Sequence, residues 1–185
     1  MHYLKYNKTS TYSNRGMSLE SDINISNEYY KDKEIALIYK KPTPIKPIKV
    51  IYNTGKITEA YFETQSTLDY NGVYKGKYIE FDAKETVSKT SFPLSNIHPH
   101  QLEHIKNVIK HQGIAFLIVR FTTLNEDYLI MGNTLLDYIN NNERKSIPYD
   151  FFKNNTYKLQ LKYTPRIDYI KVIESLVENE KNKHS

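Results

Sequence analysis

The stretch Asp69-Tyr-Asn-Gly-Val-Tyr-Lys-Gly-Lys-Tyr-Ile-Glu-Phe-Asp-Ala-Lys-Glu85 decides how the rest of the chain is read. Lys75-Gly76 lies between two segments rich in Tyr, Val, Ile and Phe, which suit a pleated, half-buried surface, and Gly supplies the positive φ of a tight hairpin turn. A two-residue loop there fixes the register. Tyr74 faces Lys77, and counting outward places Asp69 directly across from Asp82. Opposed Cβ atoms sit about 5 Å apart, so both carboxylates are within reach of one ion. The period of two puts Tyr78, Glu80, Asp82 and Lys84 on one face of the second strand, and Ile79, Phe81 and Ala83 on the other. The apolar face is expected to enter the core. The polar face gathers two carboxylates and an amine within about 7 Å, a group costly in repulsion and desolvation unless a cation and a phosphate complete it.

The 185 residues around this hairpin suffice for one domain with a proper core and are too few for two comfortable ones. A net charge of +5 and a pI near 9.1 favour a polyanionic partner, with an acidic protein or membrane surface also compatible. No apolar run approaches the roughly 18 residues of a membrane span, and Met1 to Lys8 has no apolar signal-peptide region, so a cytoplasmic location is expected. The chain has no Cys, which excludes disulfides, thiol catalysis and Cys-ligated zinc.

Residues 1–13 are polar and without periodicity, a mobile basic arm or a plain disordered terminus. One domain is expected over residues 14–180, with 181–185 a disordered tail. Met17, Leu19, Ile23, Ile25 and Tyr29 predict a helix from Gly16 to about Lys31, with Glu20 near its front. Glu34 to Tyr39 reads as a buried strand. Residues 40–62 carry Pro42, Pro44 and Pro47, which keep them out of a sheet interior. Lys40, Lys41, Lys46, Lys49 and Lys56 against Glu59 make the segment a basic excursion suited to phosphates, or an edge hairpin guarded against aggregation by Pro and Lys. Further on, a helix from His100 to Gln112 stops at Gly113, with Gln101 in its first turn. Ile114 to Thr122 is the clearest buried strand, with Tyr128 to Met131 its antiparallel neighbour. Asn133 or Thr134 caps a short helix to about Asn140. Residues 141–164 read as loop and short strand, and Arg166 to Glu180 as the last helix. The sum is an α/β or α+β domain with a mixed central sheet.

Metal-assisted phosphodiester cleavage needs hard oxygen ligands for Mg²⁺, a water made more nucleophilic, and a cation for the charge that builds on the phosphorane. Asp69 and Asp82 supply the first and Lys84 the last. An Asp followed thirteen residues later by Asp-x-Lys is common by chance; the register, the polar face and the basic surroundings distinguish this instance. Glu80 shares the face as a substitute ligand, but its cross-strand partner is Asn71, farther from Lys84. His98, His100 and His104 lack the Glu of a His-Glu-x-x-His site and read as a solvated helix start rather than zinc ligands. The 17 tyrosines could stack on unpaired bases, but most are expected to pack in the core or at its edge.

Several words in order carry a resemblance: Asn14-Arg-Gly-Met-Ser-Leu-Glu20, Lys40-Lys-Pro-Thr-Pro44, Ser66-Thr-Leu-Asp-Tyr-Asn-Gly-Val-Tyr-Lys-Gly76, Ala83-Lys-Glu-Thr86, Thr90-Ser-Phe-Pro-Leu94, His100-Gln101, Arg144-Lys-Ser-Ile-Pro148 and Pro165-Arg-Ile-Asp-Tyr-Ile170. Over residues 14 to 173 the chain resembles the RecU family of Holliday junction resolvases. The resemblance implies a restriction-endonuclease-like PD-(D/E)xK core acting as a homodimer. It would cut opposed strands of four-way DNA junctions with Mg²⁺ or Mn²⁺, leaving 5′-phosphate ends, in recombination and repair. By matching motif, Thr67, Asp69, Asp82 and Gln101 correspond to the metal-site residues, Lys84 to the transition-state lysine, and Glu20 to the acidic residue of the first helix. Arg15 matches an arginine that contacts DNA or the partner, and the 40–62 excursion corresponds to a protruding basic stalk that enters the open junction. The strand-exchange recombinase and the branch-migration motor are the further partners implied. Where relatives usually read Asp-Phe-Glu-Ala-Lys this chain reads Glu80-Phe-Asp-Ala-Lys84, which shortens the carboxylate arm at 82 by one C–C bond. Two other readings stand beside this one: a non-catalytic DNA-binding recombination regulator on a degenerate nuclease fold, and a nuclease of the same fold acting on ordinary duplex.

Overall fold

A computed structural model describes residues 18–63 and 67–183. Lys75 and Gly76 both take positive φ, 47° and 78°, the pair of left-handed residues that matches the twist of a two-residue hairpin. The chain runs α1 (Leu19–Asp32), β1 (Leu37–Lys40), β2 (Ile45–Ile51), β3 (Lys56–Phe62), β4 (Tyr70–Tyr74), β5 (Lys77–Thr86), β6 (Ser91–Pro93), α2 (Pro99–Lys110), β7 (Ile114–Phe121), β8 (Glu126–Met131), α3 (Gly132–Asn141), β9 (Ser146–Pro148), α4 (Tyr149–Asn155), β10 (Tyr157–Leu159) and α5 (Tyr169–Lys183). Six strands form a mixed sheet in the order β1-β4-β5-β7-β8-β10. Only the central β5–β7 pair is parallel, because the connection between them carries α2. Among the described residues β2 and β3 pair only with each other, as do β6 and β9.

Helices cover both faces. On one, Leu19 and Ile23 of α1 and Ile170, Ile173 and Val177 of α5 pack on Tyr70, Ile79, Phe81, Phe116 and Ile118. On the other, Ile105 and Val108 of α2, Leu135 of α3 and Phe152 of α4 pack on Ala115, Leu117, Val119 and Ile130. The residues of β7 alternate between the two clusters, which explains why all of them but Arg120 are apolar, as a strand covered on both sides must be.

Three features differ from the sequence reading, and a fourth goes beyond it. Glu34 to Tyr39 is not a buried strand: β1 is the sheet edge, and of its residues only Ile38 is buried. Residues 141–164 contain α4, a helix of seven residues with a single buried side chain, too short to show periodicity. Neither Asn133 nor Thr134 caps α3, which begins at Gly132. The polar face of β5 does not lie open, since Glu80 and Asp82 are as fully buried as Ile79 and Phe81. Helix α5 runs to Lys183, and Arg15, like the 1–13 arm, lies outside the described residues. No helix among the described residues is long and apolar enough to cross a membrane.

A buried ion network locks the layers. Arg120 of β7 donates from Nε to Asp127 Oδ1 at 2.7 Å and from Nη2 to Asp22 Oδ2 at 2.8 Å, while Arg166 Nε donates to Asp22 Oδ1 at 2.8 Å. Removing one partner of such a network strands the other charges without water. Arg120→Met is therefore expected to lower unfolding stability by about 3–5 kcal/mol in urea melts, and a change below about 1 kcal/mol would show that Arg166 alone suffices for Asp22.

Candidate active site

The β4–β5 ladder pairs Tyr74 with Lys77, Asn71 with Glu80 and Tyr70 with Phe81. Its next step brings Asp69 against Asp82, the register that the two-residue turn requires. Burial, and then the neighbouring Asp82 carboxyl, push the Asp69 carboxyl up to about 6, against the smaller opposing pull of Lys84 and Lys40. Two carboxyl groups this close repel when both are ionised, which favours a proton or a cation beside them.

Asp82 is held from three sides. Its Oδ1 accepts from the backbone N–H of Ala83 at 2.9 Å, and its Oδ2 accepts from Gln101 Nε2 at 2.6 Å and from Lys84 Nζ at 2.8 Å. Gln101 is itself fixed, because its Oε1 accepts from the His98 backbone N–H at 3.1 Å where α2 begins. Pro99 in the first turn of α2 suits that start, since its missing N–H would be unpaired there anyway. The amide carbonyl of Gln101 thus serves the helix end and its NH₂ serves Asp82.

Glu20 arrives from the other layer. Ser18 caps α1, accepting from the Ser21 N–H at 3.3 Å, and the Leu19 N–H donates to Glu85 Oε1 at 2.6 Å, which ties the start of α1 to β5. Glu20 then accepts from Lys40 Nζ at 2.5 Å. Tyr70 is fully buried and stacked on Phe81 at 4.8 Å, with a hydroxyl that has no hydrogen-bond partner among the described residues. Burial, and then the charges of Glu20, Asp69 and Asp82, hold its proton on far above the ordinary tyrosine range.

Thr67 sits on the opposite flank, where Lys41 Nζ donates to its Oγ1 at 3.0 Å and also to Glu80 Oε1. The other oxygen of Glu80 accepts from Tyr78 Oη at 2.7 Å and meets His104 Nε2 at 2.7 Å. Burial pushes the Glu80 carboxyl up, and the bonds from Lys41, His104 and Tyr78 outweigh it, so it is held below its usual range. Glu80 has a full set of partners at this flank, and His104 belongs to that set rather than to a solvated helix start. Lys41 likewise points inward. Lys46, Lys49 and Lys56 stand on the separate β2–β3 hairpin, where Lys49 pairs with Glu59 at 2.7 Å and Lys46 lies over the Tyr61 ring at 5.9 Å.

Among the described residues no three His, Asp or Glu side chains converge as a self-sufficient metal cage. The donors present still suit one kind of ion. Mg²⁺ takes one or two carboxylates and fills its shell with water and phosphate oxygens, and Asp69 with Asp82 offers that number, while the orphaned Tyr70 hydroxyl leaves a donor for a nearby water. Sequence spacing found Asp69, Asp82 and Lys84. It missed the contacts of Lys41, His104 and Tyr70 and the role of Glu85, none of which has a local pattern.

A family profile described as Recombination protein U matches residues 14–175. A Holliday junction resolvase RecU of Geobacillus kaustophilus is 50% identical over 171 residues, covering 89% of this chain and 86% of the relative. The protein of the same description from Oceanobacillus iheyensis is 48% identical over 181 residues, covering 95% and 92%. A third, from Bacillus cereus strain G9842, is 50% identical over 175 residues, covering 91% and 88%.

Proposed function

Because this chain belongs to the RecU family, we propose that it is a Holliday junction resolvase, an endonuclease that nicks opposed strands of four-way DNA junctions in recombination and repair. The observation that carries the chemistry is the Asp69–Asp82 pair, brought together by the hairpin register beside the Lys84 ammonium. The parallel β5–β7 pair beside the antiparallel β4–β5 hairpin, with α2 on the site face, supports a restriction-endonuclease-like core.

Asp69 and Asp82 would hold Mg²⁺ or Mn²⁺, with Thr67 and Glu20 at the margins. When bound, the ion supplies positive charge at the scissile phosphate and makes a water more nucleophilic. Gln101 keeps the Asp82 carboxylate in one orientation rather than letting it rotate. Lys84 places its ammonium beside Asp82 at 2.8 Å, where it meets the charge that develops on the phosphorane oxygens. Glu20 holds Lys40 at 2.5 Å, which keeps that ammonium close enough to Asp69 to favour its ionised form.

The β2–β3 hairpin extends as its own sheet with nearly every side chain exposed, including Tyr52, Tyr61 and Phe62. It fits a basic stalk that enters an open junction, its lysines meeting phosphates and its aromatics meeting bases. Two symmetric nicks call for two sites, hence a homodimer, and the recombination setting makes the strand-exchange recombinase and branch-migration motor the expected partners. A labelled four-way junction incubated with the protein and Mg²⁺ is expected to yield paired nicks bearing 5′-phosphates, in preference to linear duplex at matched salt. Binding without incision in either Mg²⁺ or Mn²⁺ would overturn the catalytic reading in favour of a DNA-binding regulator.

A further inference from the structure

We propose that Glu80 is a positioning residue for this reaction, clasping the base of the β2–β3 excursion to the strand that carries Asp82 and so setting where Thr67 and Asp69 stand. The inference rests on reading the chain as a nuclease. It begins with Lys41, the residue that follows β1 as the chain leaves the sheet. Its backbone N–H donates to the Asp69 carbonyl at 2.7 Å and its Nζ to Thr67 Oγ1 at 3.0 Å. One residue therefore ties the exit of the excursion to its re-entry. Its ammonium needs a counter-ion in this half-buried place, and Glu80 is that counter-ion.

Glu80 is in turn fixed from the other side. Tyr78 Oη donates to it at 2.7 Å and His104 Nε2 lies 2.7 Å from the same oxygen. His104 stands three residues after Gln101, so the two share a face of α2 and grip Glu80 and Asp82, which share a face of β5. The carboxylate thus joins α2, β5 and the excursion base at one point. As a stability device a buried carboxylate is poor, because an apolar side chain of like volume avoids the desolvation cost. Its partners instead are groups that carry or adjoin Asp69, Thr67 and Asp82. A displacement of the hairpin base passes through Lys41 to Asp69, and Glu80 resists it.

Glu80→Gln keeps the shape and removes the charge. The expected result is a kcat on junction DNA lower by about 100-fold, the scale of an ångström of misplacement, with a higher Mg²⁺ concentration for half-maximal rate and unchanged metal-free junction affinity. In the metal-free protein the Lys41 amide, which donates to Asp69, should exchange with deuterium faster while amides of β7 keep their protection. Glu80→Asp retains the charge on a shorter stem that the flexible Lys41 can follow, and should restore most of both kcat and Lys41 protection. An unchanged kcat with an unchanged Lys41 amide overturns the proposal, as does a loss of β7 protection and junction affinity in step with kcat, which marks a role in folding alone. Should the wild-type chain nick no junction, the nuclease reading falls, and the Lys41 exchange rate still decides whether Glu80 holds the clasp.

Discussion

Lys84→Ala is expected to lower the rate of junction nicking by about 10²–10³-fold, the cost of removing one charged donor from a developing oxyanion, while junction affinity stays unchanged. The ammonium stands 2.8 Å from Asp82 Oδ2, with its side chain 17% exposed, so it is sheltered from water yet open toward an arriving phosphate. Asp82 is the carboxylate it pairs with, and its loss leaves Asp82 still held by Gln101 and the Ala83 N–H. The fold therefore survives the substitution. A second consequence separates Lys84 from a mere packing residue: its charge favours the ionised form of Asp69, so the variant should move the acidic limb of the pH–rate profile toward higher pH. Lys84→Arg should rescue little, since a planar fork replaces a compact charge at a site shaped by one carboxylate oxygen. Single-turnover nicking over a range of pH, with filter binding alongside, checks each part. Wild-type rates in Lys84→Ala would sink the assignment.

What the sequence disclosed follows from how local the information is. The positions of Asp69 and Asp82 were legible because a hairpin closed by Lys75-Gly76 propagates its register without reference to anything distant. Strand β7 was legible because a strand covered on both faces is apolar at nearly every position, here at all but Arg120. The covering of the polar face of β5 was not, since it depends on α2 folding back so that Gln101 and His104 meet residues some twenty positions earlier. A histidine triplet at a helix start looks solvated until the opposing strand is known to present Glu80. Lys41 looked like one more surface lysine in a basic run, and only the return of the chain at Thr67 turns it inward. Helix α4 escaped because the run Tyr149 to Asn155 buries one side chain and so leaves no stripe to detect. The edge position of β1 escaped for a related reason: Leu37 and Tyr39 are apolar but exposed, and sequence alone does not say which strands lack a neighbour.

Acid is expected to silence the enzyme steeply, and the titration of Asp69 gives the sign. Burial and the neighbouring Asp82 push its carboxyl up to about 6, whereas in an unfolded chain a carboxyl of this kind releases its proton near 4, roughly. Between those values the folded, metal-free protein holds a proton that the unfolded chain has lost, so this group's stabilising share is full at the acid end and is lost as pH rises through about 6. In EDTA the melting temperature should therefore carry a component that falls across that window and is absent in Asp69→Asn. Glu80 contributes with the opposite sign, its carboxyl held low, and its share disappears only as pH falls below the usual carboxylate range. A divalent cation competes with the Asp69 proton, so Mg²⁺ should raise the melting temperature at neutral pH and lose that effect toward pH values below about 6. At subsaturating Mg²⁺ the nicking rate should then fall about tenfold per pH unit on the acid side, as one proton displaces one ion. Saturating Mg²⁺ should shift that limb to lower pH. A rate that is flat through the window, or an EDTA melting profile identical in wild type and Asp69→Asn, would show that Asp69 does not exchange its proton for metal.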